Sequence, residues 1–230
     1  MPAIRTWWQR GICPPAGIAS ELDAKNYLLL LGWAPEGEQE IFSLDEMIKI
    51  WDSARISKSP AIFDPLKLRA INAAYIRALP AEEFRKLADP FIDQAVHVQI
   101  DRDLLCANLQ PRCEVLEDIP PQLDFFDAVL PIDAEMYRNK KQKTTPESAK
   151  EALSALLPVL EAQTDWSRDA IFEACKQKAE AMEKKNGWLL FPLGIALSGK
   201  ARTPGGGTDL AAMMGKEETL RRLNAAIEAL

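Results

Sequence analysis

Apolar side chains recur every three to four positions along most of this chain, and apolar–polar alternation of period two is nearly absent. The stretch ELDAKNYLLLL follows Ser20, with Asp23 at the third helical position. Both side chains can reach free backbone N–H groups, so a helix is predicted to start there. Ser43 opens LDEMIKIWDSA, and Glu46 three residues on completes a capping box. Asp64-Pro65 opens LKLRAINAAYIRAL. Asp suits the N-cap, and Pro at the first helical position loses no hydrogen bond. Leu68, Ile71, Tyr75 and Leu79 then share one side, which leaves Arg69 and Arg77 to face solvent or a partner.

Pro80 ends this element, and helices are predicted over 81–88 and 91–98. Residues 101–126 read as short helices around LLCANLQPRCEVLEDIP. Thr145-Pro146 opens ESAKEALSALLPVLEA, and Ser167 opens RDAIFEACKQKAEAMEKK with a stripe of Ile171, Cys175, Ala179 and Met182. The last helix runs from Lys216 to Leu230 with Leu220, Leu223, Ile227 and Leu230 on one face, and Glu217 and Glu218 suit the positive end of its dipole. VHVQI is a single short strand candidate and has no partner to pair with. The fold class is therefore all-α. Pro80–Pro90 and the polar, basic stretch 138–147 look like junctions, which predicts three consecutive helical subdomains at 1–79, 80–143 and 144–230.

The 230 residues are 47% apolar, enough for a buried core. Lys and Arg number 28 against 34 Asp and Glu, a net charge of −6, which disfavours indiscriminate binding to polyanions but leaves room for a local basic face. No apolar run approaches the length of a membrane span, and MPAIRTWWQRGICPP does not read as a signal peptide. Cys13, Cys106, Cys113 and Cys175 are scattered without a CxxC, as expected of reduced, cytoplasmic cysteines.

No catalytic constellation emerges. His97 is the one histidine, and the six residues between Cys106 and Cys113 do not match structural zinc spacing. Neither a metal site nor a cofactor is expected. Thr203–Gly207, TPGGG, lacks both dinucleotide-loop and P-loop spacing and reads as a tight turn between helices that could touch a partner. Charge is more informative. From Ser53 to Leu79 five bases (Arg55, Lys58, Lys67, Arg69, Arg77) stand against Asp64 alone. From Arg138 to Glu151 five more (Arg138, Lys140, Lys141, Lys143, Lys150) stand against Glu147 and Glu151. Lys200 and Arg202 flank the glycine turn. Such patches on an acidic chain suit selective contact with a nucleic-acid backbone, and equally suit solvated helix faces.

The letters SKS in RISKSPAIFDP are similar to the lysine loop of class I aminoacyl-tRNA synthetases, but here they precede an Asp-Pro helix start. They read as a connector in which Ser57 and Ser59 satisfy backbone groups, Pro60 ends the turn, Ile62 and Phe63 plug the core, and Arg55 and Lys58 stay open to RNA. The wider run YLLLLGWAPEGEQEIFSLDEMIKIWDSARISKSPAIFDPLKLRAINAAYIRAL resembles the segment after the catalytic domain of bacterial-type glutamyl-tRNA synthetases. LQPRCEVLEDIP and FPLGIALSGKARTPGGGTDLAAMMGKEETLRRL resemble later parts of that family, so the likeness covers roughly residues 10–230.

The resemblance implies consecutive helical bundles like the stem-contact and anticodon-binding domains of a class I glutamyl-tRNA synthetase, without its ATP-binding domain. It implies a non-catalytic tRNA-binding protein, with glutamate tRNA as partner and no membrane. The alternative is a protein-interaction module that docks on a separate catalytic half or another partner, with RNA binding weakened or lost. It suggests Arg112 near the third anticodon base and Thr203-Pro204-Gly205 beside the others, with Arg55, Lys58, Arg69, Arg77, Lys200 and Arg202 as further RNA contacts. Gly194 stands where the family usually has Arg, which removes a five-donor guanidinium from that face.

Overall fold

A computed structural model describes residues 21–58 and 62–230. Ser20 and Cys13, and Ser59 and Pro60 of the connector, lie outside the described residues. Every regular element among them is helical. The eleven α-helices are α1 Glu21–Gly32, α2 Leu44–Ile50, α3 Pro65–Ala78, α4 Ala81–Ile92, α5 Arg102–Leu109, α6 Pro120–Leu123, α7 Pro146–Ala162, α8 Arg168–Ala181, α9 Asn186–Ser198, α10 Gly207–Met214 and α11 Lys216–Ala229. They fall into two compact units. The first holds the described residues up to Phe91 together with Gln110–Ile119, and the second holds Ile92–Leu109 and Pro120–Leu230.

In the first unit α1 packs on α3. Its apolar centre is Tyr27, Leu68 and Ile71, flanked by Leu30, Leu31, Phe63 and Tyr75. Side-chain bonds to backbone fix the segments between helices. Buried Asn26 donates to Glu40 O at 2.6 Å and accepts from Phe42 N at 3.0 Å. Tyr27 OH accepts from Asp64 N at 2.7 Å, and Tyr75 OH donates to Phe42 O at 2.8 Å. Two helix starts follow the cap chemistry of the sequence. Ser43 and Glu46 form the capping box, and Asp64 accepts from Leu66 N and Lys67 N. The connector departs in one respect. Phe63 sits edge-on to Tyr27 with centroids 5.3 Å apart, but Ile62 is 86% exposed and plugs nothing. Adjacent side chains at the non-helical entry to α3 point apart, so one reaches the core and the other does not.

The second unit packs α7, α8, α9, α10 and α11 against one another. Thr145 and Ser167 cap α7 and α8, and Ile171, Cys175 and Ala179 are buried along α8. The sequence pattern missed α9. NGWLLFPLGIALS is apolar all round, and a helix buried on every side has no polar face to reveal its period. Trp188, Leu189, Pro192, Leu193, Ile195, Ala196 and Leu197 are all buried there.

Two further expectations are corrected. Of the helices predicted over 81–88 and 91–98, the first extends through Pro90 to Ile92 as α4, and residues 93–98 are turn and irregular chain rather than helix. On α11 the buried face is Thr219, Arg222, Leu223 and Ala226, rotated from the apolar stripe, whose Leu220, Ile227 and Leu230 are half-buried. The rotation places an arginine in the core. Arg222 is 1% exposed. It donates to the carbonyls of Phe125, Phe126 and Leu197 at 2.6–2.7 Å and pairs with Glu218 at 2.5 Å. Glu218, bonded first by Arg221 and then by Arg222, is held at about 2, well below the usual carboxylate range.

Candidate nucleic-acid interface

Basic side chains in the first unit sort by what already holds them. Arg69, expected to face solvent or a partner, turns onto Glu114 at 2.9 Å and also onto Asp118. The Glu114 bond, with Asp118 helping, raises the Arg69 pKa above its ordinary value. Two carboxylates on one guanidinium leave little charge for phosphate. Arg55 pairs with Glu36 at 3.3 Å and is half-buried, whereas Lys58 is exposed.

Arg77 and Arg112 are brought to the same end of α3. Gln110 donates to Ile76 O at 2.9 Å and Leu79 O at 2.8 Å, closing the C-terminus of α3. This seats the short 3-10 turn Gln110–Arg112 against the last turn of α3, which carries Arg77. Asn72 supports the same segment by donating to Glu114 O at 2.5 Å. Arg77 and Arg112 are both exposed. An Arg pair on a braced helix end can grip phosphates or stack on splayed bases.

In the second unit Lys200 donates to Pro121 O at 2.7 Å, pairs with Asp124 and lies 6.0 Å from the Phe125 ring. Its charge is committed to its own fold. Arg202 is exposed. The glycine stretch is a turn leading directly into α10. Thr203 is half-buried and donates through Oγ1 to Gly205 O, and Pro204 and Gly205 are buried. Asp209 holds the turn from within α10, accepting from Gly206 N at 2.7 Å and from Arg168 Nε at 2.9 Å. An Asp three residues after Gly206 is a cap signature that the sequence reading passed over.

Gly207 needs its missing side chain, because a Cβ there would lie 2.8 Å from Leu190 O and 3.0 Å from Gly194 N. A Cβ on Gly194 would lie 3.8 Å from Gly207 Cα, an ordinary contact. A guanidinium at 194 would thus originate beside the entry to α10.

Residues with nucleophilic or ligating chemistry are occupied otherwise. Cys106, Cys113 and Cys175 are buried and form no disulfide, and burial pushes the Cys113 and Cys175 thiols up to about 12. His97 is exposed and sits 2.5 Å from Asp127 Oδ2, and the bond from its ring lowers the Asp127 pKa. Among the described residues no group of three or more His, Cys, Asp or Glu could hold a metal ion, and no helix is long and apolar enough to cross a membrane.

Among the described residues every regular element is helical, which places the fold in the all-α class. The sequence pattern of the anticodon binding domain family matches residues 72–227, and the chain belongs to that family. It is 43% identical over 205 residues to the glutamate–tRNA ligase of Clostridium botulinum strain Hall, covering 89% of this chain and 42% of that protein. It is 42% identical over 205 residues to that of Clostridium tetani, with the same coverage. The solved glutamate tRNA ligase of Elizabethkingia meningosepticum, in complex with its amino acid, superposes with a TM-score of 0.75 at 27% identity, covering 91% of this chain and 41% of that one. The chain thus spans about two fifths of the length of the curated relatives it matches and corresponds to their C-terminal, anticodon-binding part.

Proposed function

We propose that these 230 residues bind tRNA, glutamate tRNA in preference to others, without themselves activating an amino acid. The observation that carries this reading is the family match across 72–227, which spans Arg77, Arg112 and the Thr203–Gly205 turn. Arg77, Arg112 and Arg202 would meet the RNA, with Lys58 adding a backbone contact further along the chain. Arg69, Arg55 and Lys200 would chiefly brace the segments that present them, given their carboxylate partners. The division into subdomains at 1–79, 80–143 and 144–230 remains part of this proposal.

The test is co-purification. Chain isolated from cells in low salt is expected to carry tRNA enriched in the glutamate acceptor. An RNA-free preparation that also fails to bind added tRNA at low micromolar concentration would overturn the reading. ATP–pyrophosphate exchange dependent on glutamate would overturn its non-catalytic half.

One observation favours a second reading, docking on a separate protein that supplies catalysis. In α2, Leu44 and Ile48 are 49% and 67% exposed one turn apart, and Trp51 just beyond is 49% exposed. Residues 36–52 carry six carboxylates and Lys49 alone. An apolar stripe with an acidic surround repels phosphate and fits a protein surface with a basic rim. Recovery of a catalytic protein with the chain, in the absence of tRNA, would favour docking over RNA binding.

A further inference from the structure

The basic run at 138–143 stands apart from the other charged segments in how it is built. Asn139 and Thr144 exchange both backbone bonds, each 3.1 Å, and so close a tight turn around Lys140–Lys143. Asn139 Oδ1 accepts from Lys141 N at 2.9 Å and Gln142 N at 3.1 Å, filling the turn from inside. Thr144 is buried and donates to Tyr137 O at 2.7 Å, and Tyr137 is 1% exposed, so the base of the turn is rooted in the core. The Gln142 side chain lies over Gly187 at the start of α9, in space that a Cβ on Gly187 would occupy at 1.9 Å. Lys143 has φ 57°, a left-handed backbone that a lysine does not adopt by preference, so the surrounding bonds impose the shape.

What this rigid turn presents is unpaired positive charge. Lys140, Lys141 and Lys143 are all exposed. Among the described residues no carboxylate forms an ion pair with any of them. The nearby Arg138 is excluded from this set, since Glu135 takes it in two bonds of 2.6 and 2.9 Å. The contrast with Arg69, Arg55 and Lys200 is direct, because those cations already have carboxylate partners in their own fold.

We propose that the 139–144 turn is a phosphate-contact site, placing Lys140, Lys141 and Lys143 against the RNA backbone. The site rests on the tRNA reading and adds to it an element that no anticodon motif of the sequence contains. Ammonium groups are point charges with no base-edge code, so the turn adds affinity and register without sequence preference. A turn already fixed by its own bonds loses little conformational freedom on binding. The acidic remainder of the chain keeps the attraction local.

The experiment is a fluorescence titration of glutamate tRNA with the full chain across a salt series. Lys140→Ala/Lys141→Ala/Lys143→Ala is compared with a charge-matched control, Lys176→Ala/Lys184→Ala/Lys185→Ala. Each phosphate contact contributes roughly 0.7–0.9 to the slope of log affinity against log salt, so the turn variant is expected to lose about 2 to 3 from that slope and to bind about a hundredfold more weakly near 0.1 M salt. The control is expected to change the slope by less than about 1. The Lys→Arg triple at the turn keeps the charge and is expected to restore wild-type binding. A turn variant with wild-type slope, or one indistinguishable from the control, overturns the site while leaving tRNA binding standing. A wild-type chain that does not bind tRNA overturns both.

Discussion

The two units bury and expose different things. The second builds a closed centre from α7 to α11 around the all-apolar α9, and inserts Arg222 into it as a three-carbonyl clamp. The first is tied together by side-chain bonds to backbone and leaves Leu44, Ile48, Ile62 and Leu66 at 49–86% exposure. Their charges differ as well. Arg69 and Lys67 of the first unit are bound to carboxylates, whereas the lysine turn of the second is not. The second unit thus combines a closed centre with three exposed lysines that no carboxylate pairs with among the described residues. The first leaves large apolar side chains in water, Leu44 and Ile48 one turn apart on α2 among them.

The largest effect is expected at Arg222. Arg222→Leu leaves three buried carbonyls without donors and strips Glu218 of one of its two guanidiniums, which should cost about 3–5 kcal/mol in urea unfolding. A cost below about 1 kcal/mol would mean that the clamp is not what closes the second unit. The same pair has a pH signature. The folded Glu218 pKa is depressed, so its stabilisation is present above the ordinary value of 4.5 and lost as pH falls through about 2. Glu218→Gln should therefore destabilise the chain at pH above 5 and make little difference near pH 2.

Gly207→Ala comes next. Its Cβ would press on Leu190 O at 2.8 Å, and relieving that contact should cost about 1–3 kcal/mol, visible as faster hydrogen exchange in α9 and α10. In the first unit, Asp64→Ala removes the acceptor for Leu66 N and Lys67 N and should cost about 1 kcal/mol, with exchange rising at the start of α3. Smallest of all, Leu44→Ser/Ile48→Ser should shift stability by no more than about 0.5 kcal/mol, because these side chains already face water. A loss of 2 kcal/mol or more would show that the α2 stripe is core, and the contrast between units would fail.

The sequence revealed elements whose cause is local. The Ser43–Glu46 box, the Asp64-Pro65 start and the Thr145 and Ser167 caps are each set by a few neighbouring residues, and all four appear as expected. Ordered motifs also disclosed the family before any fold was known. Features made by distant residues stayed hidden. Arg222 looks like a surface partner of Glu218 at i, i+4 until the carbonyls of Phe125, Phe126 and Leu197 surround it. Arg69 and Lys200 read as available cations because Asp118 and Asp124 are remote in sequence. Charge counts marked the run at 138–151, but only the closed turn separates committed Arg138 from the three open lysines.

The claim that this chain holds tRNA is tested most directly by measuring its affinity for a glutamate tRNA and for an unrelated tRNA over the same salt series. Tighter binding to the glutamate tRNA is expected at every salt concentration, with both affinities falling steeply as salt rises. Equal affinity for the two would remove the specificity. No measurable binding to either in low salt would contradict the account as a whole.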